Sequence, residues 1–128
     1  MRAYLPISHN DLASFLLNQS IEVVEVFAPT QSFKDENADC DEEEIEFLLS
    51  IMAGEAALEL RTAVTSPGLV LAIELDTLQG TESSENLFTL TAPLRWNQVQ
   101  CALLANGDSE ELTWYATQEI LTELDNWK

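Results

Sequence analysis

The stretch IEFLLSIMAGEAALEL (45–60) limits the fold more than any other feature of the chain. Ile45, Leu48, Leu49, Met52, Ala56 and Leu60 recur at helical spacing, and Phe47, Ile51 and Leu58 widen the stripe past half the circumference. A helix this apolar needs a broad apolar layer to lie on. The segment LVLAIEL (69–75), which follows the helix stop Ser66-Pro67-Gly68, has the length and composition of a buried strand, so that layer is a sheet. The helix is expected over about 41–63. Gly54, in its interior, costs about 1 kcal/mol relative to alanine and predicts a kink or close packing.

Shorter signals complete the layout. RAYLPI (2–7) alternates as a first strand, and Ser8 caps a helix over about 9–18 whose face is Leu12, Phe15 and Leu16. IEVVEVFAP (21–29) is a β-branched strand ended by Pro29. LFTLT (87–91) and QVQCALLA (98–105) follow as strands, and Asn106-Gly107 signals a hairpin. The tail fits either period; its Thr-Trp-Tyr cluster favours a strand over 111–117, then a short terminal helix. The order β-α-β-α-β-β-β-β-α predicts an α+β fold, a single two-layer domain with helices on one face of a mixed or antiparallel sheet. One domain over 1–128 suits this length, with flexible polar loops at 30–40 and 76–86.

Charge narrows the partners. Twenty-three Asp and Glu against 5 Lys and Arg give a formal net charge of −18. The cations Arg2, Lys34, Arg61, Arg95 and Lys128 are scattered, so neither nucleic acid nor an anionic membrane surface is expected as a direct partner. A basic protein, or self-association, is. The opening MRAYLPISHND lacks the long apolar run of a signal peptide or membrane span, and the two cysteines, Cys40 and Cys101, form no CxxC. A cytoplasmic protein without a disulfide is expected. Cys101, within VQCALLA, reads as a small buried hydrophobe, and Cys40 as a thiol whose pKa neighbouring carboxylates raise. No cofactor is expected, since the 4 glycines build no phosphate loop.

The run DENADCDEEEIE (35–46) offers two readings. As a calcium loop it would use Asp35, Asn37, Asp39, Glu43 and Glu46 as side-chain ligands. Cys40 then stands where such a loop needs glycine, and no entering helix precedes it. As a helix start, Asp39-x-x-Glu42 and Asp41-x-x-Glu44 are capping boxes, with Glu42, Glu43 and Glu44 favoured by the helix dipole. The helix start explains the run without a metal. His9, the one histidine, lies beside Ser8 at a helix start and reads as polar surface rather than a catalytic group.

The remaining constellation is aromatic: Arg95-Trp96, Trp114-Tyr115 and Trp127. If the last two strands pair, Trp114 is expected near the Arg95-Trp96 corner. Trp, Tyr and Arg are enriched in interface hot spots, whereas a core role would bury Trp114 and Trp127 and lay Arg95 over an indole. Arg95, Trp96, Tyr115, Gln118 and Glu119 are therefore the candidate binding residues, with no catalytic residue assigned.

MRAYLP (1–6), DEEEIEF (41–47) and LTWYATQEI (112–120) together resemble a family of small, acidic, uncharacterised actinobacterial proteins. The resemblance implies a single intracellular bacterial domain and carries over no functional residue. The leading functional expectation is a protein–protein binding or adaptor module. The alternatives are a small enzyme or ligand-binding domain using carboxylates and Tyr115, and an acidic nucleic-acid mimic that blocks a basic protein.

Overall fold

The computed structural model describes all residues except 24, 85 and 108, and the side chains of these except 77, 109 and 110. The fold is α+β. Its centre is a seven-stranded antiparallel sheet built from β1 (Arg2–Ile7), β3 (Glu25–Phe27), β4 (Gly68–Glu74), β5 (Gly80–Glu82), β6 (Leu87–Leu90), β8 (Val99–Asn106) and β9 (Ser109–Ala116). The spatial order is β5-β6-β3-β1-β4-β8-β9. A separate ribbon pairs β2 (Ser20–Ile21) with β7 (Leu94–Arg95).

Alternation along β1 and β4 assigns the two faces. Tyr4, Val70 and Ala72 meet the long helix α3 (Glu42–Glu59) through Ile45, Leu49, Ala53 and Ala57. Leu5, Ile7, Leu69, Leu71 and Ile73 form the larger core on the other side with Leu12 and Phe15 of α1 (His9–Asn18). Ile120 of α4 (Ile120–Glu123) and Trp127 close that core. The long helix thus covers one face, and α1 with the C-terminal turns adds a layer to the other.

Helix α3 buries a narrower stripe than its sequence suggests. Small residues, Ala53, Gly54 and Ala57, face the sheet, while Phe47 is 63% exposed and Leu60 is also exposed. At Gly54 the outcome is close packing: a Cβ there would lie 3.1 Å from Leu112 Cδ2 and 3.5 Å from Ala105 Cβ. At its far end the same approach brings Gly68 against the α3 backbone, where a Cβ would be 2.9 Å from the Leu58 nitrogen.

Several boundaries differ from the expectations. The segment 21–29 is two short strands rather than one, β2 in the ribbon and β3 in the main sheet. Residues 30–40 carry a helix, α2 (Gln31–Glu36), because Thr30 accepts the Phe33 N–H as an N-cap and the buried Phe33 ring anchors the turn. Residues 76–86 hold a 3-10 turn, Thr77–Gln79, and strand β5. The long helix starts at Glu42 on an Asp41–Glu44 capping box and ends at Glu59, short of the expected 63. In the hairpin Asn106 pairs with Ser109, so Asn106 belongs to β8 and the link is Gly107 with residue 108, which lies outside the described residues.

Candidate functional site

The expected site residues separate into two places. Arg95 ends β7, and Trp96 starts a 3-10 turn (Trp96–Gln98). Trp96 sets its ring edge-on to Phe15, centroids 5.1 Å apart at 84°, and so belongs to the α1 side of the sheet. Trp114 opposes Leu103 on the α3 side, where it lies beside the Cys101 sulfur, and it is 60% exposed. The expected neighbourhood of Trp114 and the Arg95-Trp96 corner is therefore corrected: the sheet lies between them, because Trp114 and Tyr115 alternate across it. Of Trp114 and Trp127, which a core role would bury, Trp127 alone fills the core. It meets Tyr115 edge-on, centroids 5.1 Å apart at 66°.

An open groove of about 840 Å³ lies beside Arg95 and Trp96, lined also by Gln79, Asn97 and Gln98. Its floor is a reciprocal amide pair. Gln98 Nε2 donates to Gln79 Oε1 at 2.6 Å, and Gln79 Nε2 donates to Gln98 Oε1 at 3.2 Å. The remaining amide capacity is spent on backbone. Gln98 Nε2 also donates to the Glu74 carbonyl and Gln79 Nε2 to the Pro93 carbonyl, while the two Oε1 atoms accept from the Arg95 and Asp76 N–H groups. Each amide thus makes four hydrogen bonds, its full complement. The pair ties residues 74–79 to residues 93–98 and leaves neither glutamine amide free for the groove. Sequence reading missed it: the Asp76-x-x-Gln79 spacing signals a capped local turn, and nothing in the pattern sets Gln98 against it.

At the end of β9 the chain turns sharply through Thr117–Glu119. Glu119 Oε1 accepts the Ala116 N–H at 2.9 Å, and Thr117 Oγ1 donates to the Val99 carbonyl at 3.1 Å. Gln118 projects from this turn exposed. Tyr115 is half-buried against Trp127. Below the turn His9 Nε2 donates to the Leu124 carbonyl at 2.8 Å, which ties α1 to the C-terminal segment. This gives His9 a structural task.

The Glu119–Ala116 bond also orients the edge. Because Ala116 donates to Glu119, its N–H points away from β8, and backbone polarity alternates along an antiparallel strand. Leu112 and Trp114 therefore turn their N–H and C=O groups to the open side as well. β9 is the last strand of the sheet on that side. The opposite edge, β5, is three residues long, and its Glu82 carboxylate accepts the Gln31 N–H at the start of α2 at 2.9 Å.

The residues of the calcium reading are spread over the end of α2, the turn that follows it and the start of α3. Asp35 is in α2 and accepts from Gln31 Nε2, Asn37 caps α2 by donating to the Phe33 carbonyl, and Glu43 and Glu46 are in α3. Asp39 is in the turn between the two helices. Among the described residues no three His, Cys, Asp or Glu side chains are placed to share a metal ion.

A second cluster lies under the start of α3. Arg2 Nη2 stands 3.6 Å from the Cys101 sulfur, and Arg2 Nε is buried without a hydrogen-bond partner. Burial pushes the Tyr4 hydroxyl and Cys101 thiol up, and the Arg2 guanidinium opposes both shifts. Cys40, by the acidic helix start, is also raised, by desolvation and then by Asp39, Glu44 and Asp41. Raised thiol pKa values argue against nucleophilic cysteines.

The model of a family of unknown function, DUF6912, matches residues 1–111, and the chain belongs to that family. The match ends at Glu111, inside β9, so the strand from Leu112 onward and the motif LTWYATQEI lie beyond it. No curated protein and no solved structure matches the chain. Among the described residues no helix is long and apolar enough to cross a membrane.

Proposed function

We propose that this member of the DUF6912 family is a protein–protein binding module whose contact surface is the open edge of β9 with Trp114, Gln118 and Glu119. One observation carries the reading. The sheet has two edges, and the long one, the eight-residue β9, pairs with no further strand among the described residues and carries a tryptophan that is 60% exposed. Long unpaired edges template pairing with other chains, and folded proteins ordinarily shorten or cover them, as β5 is shortened and met by α2 here. Exposed tryptophans in turn anchor interfaces.

The enzyme alternative has less support. The groove at Arg95 and Trp96 is open and about 840 Å³ in volume, but its Gln79 and Gln98 amides are consumed by each other and by backbone. Tyr115, the other group that reading would use, is packed on Trp127. Mimicry of nucleic acid rests on the net charge of −18 alone.

The test is site-specific photocrosslinking in cells that express the protein. A photoreactive residue at position 114 or 118 should give the same discrete adduct, and one at Val64, also exposed, should not. Gln118→Ala should weaken that adduct while leaving the melting temperature unchanged, since the side chain is exposed. Adducts equally abundant from all three positions, or from none, refute the contact surface.

A further inference from the structure

We infer that the partner enters as an extended, basic segment that adds to the open edge of β9 as the next strand, with a cationic side chain stacked on the Trp114 indole. The inference rests on the binding-module reading above and adds the chemistry of the partner. Three observations meet at this edge.

The first is the direction of the backbone. Glu119 caps the Ala116 N–H, which leaves the outward N–H and C=O groups of Leu112 and Trp114 as a two-residue ladder segment facing solvent. A strand laid alongside satisfies these groups with main-chain hydrogen bonds of its own, the mode in which extended peptides join sheet edges.

The second is the side chain next to that ladder. Trp114 stands on the α3 face, 60% exposed, and no other ring stacks on it among the described residues. Cations prefer the face of an indole over any other aromatic surface. On the added strand, side chains alternate between faces, so every second residue of the partner lands on the face that Trp114 occupies.

The third is charge, and it separates a basic segment from a second copy of the chain. Each copy carries −18, so edge-to-edge pairing of two copies brings like charge together, with exposed Glu111 on the strand itself. The same field attracts a segment rich in lysine or arginine and speeds its encounter. Charge in this edge therefore works as a filter: it repels its own kind and admits strands of opposite sign.

The probe is a fluorescein-labelled eight-residue peptide that alternates valine with lysine or arginine, followed by anisotropy against the full chain. Three companions are measured beside it: the same peptide with a fully N-methylated backbone, a peptide with glutamate in place of each cation, and the Trp114→Ala protein. The basic peptide should bind and should slow amide hydrogen exchange at Leu112 and Trp114. N-methylation removes the ladder donors and should weaken binding about tenfold or more. Trp114→Ala should weaken it roughly two- to fivefold, the weight of one exposed cation–π contact, with the melting temperature unchanged. The acidic peptide should not bind.

Equal binding of the N-methylated peptide, or binding without protection at Leu112 and Trp114, marks diffuse charge attraction and overturns strand addition. Binding of the acidic peptide, or dimerisation of the protein through β9, overturns the basic partner. No binding of the basic peptide overturns the inference as well. In each of these cases the adduct at positions 114 and 118 decides separately whether the contact surface itself stands.

Discussion

The amide pair Gln79–Gln98 allows a quantitative test of how the groove is held together. In the native state each side chain makes four hydrogen bonds, two of them shared between the pair. A hydrogen bond of this kind contributes about 0.5–1.5 kcal/mol net. The groove is open, so water replaces part of what a truncation removes, and the lower end of that range applies. Gln98→Ala should therefore destabilise the fold by about 2–3 kcal/mol, and Gln79→Ala by a similar amount. The double variant loses the two shared bonds only once. Its destabilisation should fall short of the sum of the single values by about 1–1.5 kcal/mol. Urea denaturation of the four proteins, with slopes compared to check that unfolding stays two-state, measures the coupling. Strict additivity would refute the reasoning, because it would mean that the two amides do not bond to each other in solution. Single losses below about 0.5 kcal/mol would show that water fully substitutes and that the pair holds nothing together.

Two other expectations follow from the same bonds and shifts. Asp41→Ala removes the Asp41–Glu44 capping box at the start of α3 and should cost about 1 kcal/mol, read as a lower urea midpoint; Asp39→Ala, whose box does not form, should cost less. Burial raises Cys101 and Tyr4 above their ordinary pKa values, so the unfolded chain loses these protons first as pH rises. Stability from these groups is complete below about pH 8, declines above the unfolded thiol value near 8.5, and is lost through the folded values. Cys101→Ala should make that alkaline decline shallower in melts between pH 7 and 10, and an unchanged slope would count against the buried thiol as its source.

How much of this was legible in the sequence depends on the range of the interaction involved. Local signals located most elements: the Ser8 cap and the Leu12–Phe15 face set α1 at His9–Asn18, and the Asp41–Glu44 box set the start of α3. The alternation and β propensity of 2–7, 98–105 and 111–117 set β1, β8 and β9 to within a residue or two. Each of these rests on neighbours within four residues, which sequence spacing reports directly. The helix α2 escaped notice because its anchor is one buried ring, Phe33, in a stretch that is otherwise polar. Period and propensity record no tertiary pocket.

The candidate site shows the same division. The sequence determined that tryptophan, tyrosine, glutamine and glutamate cluster near the C-terminus, and that a strand carries the first of them. Only the tertiary structure decided that Trp96 and Trp114 stand on opposite sides of the sheet, since facing follows from strand pairing and not from distance along the chain. The Gln79–Gln98 pair, 19 residues apart, exists because the turn before β5 and the turn before β8 meet at the end of β4. The free edge of β9 is likewise a property of strand order. Any strand has two edges, and which one stays open is settled when the last neighbour pairs.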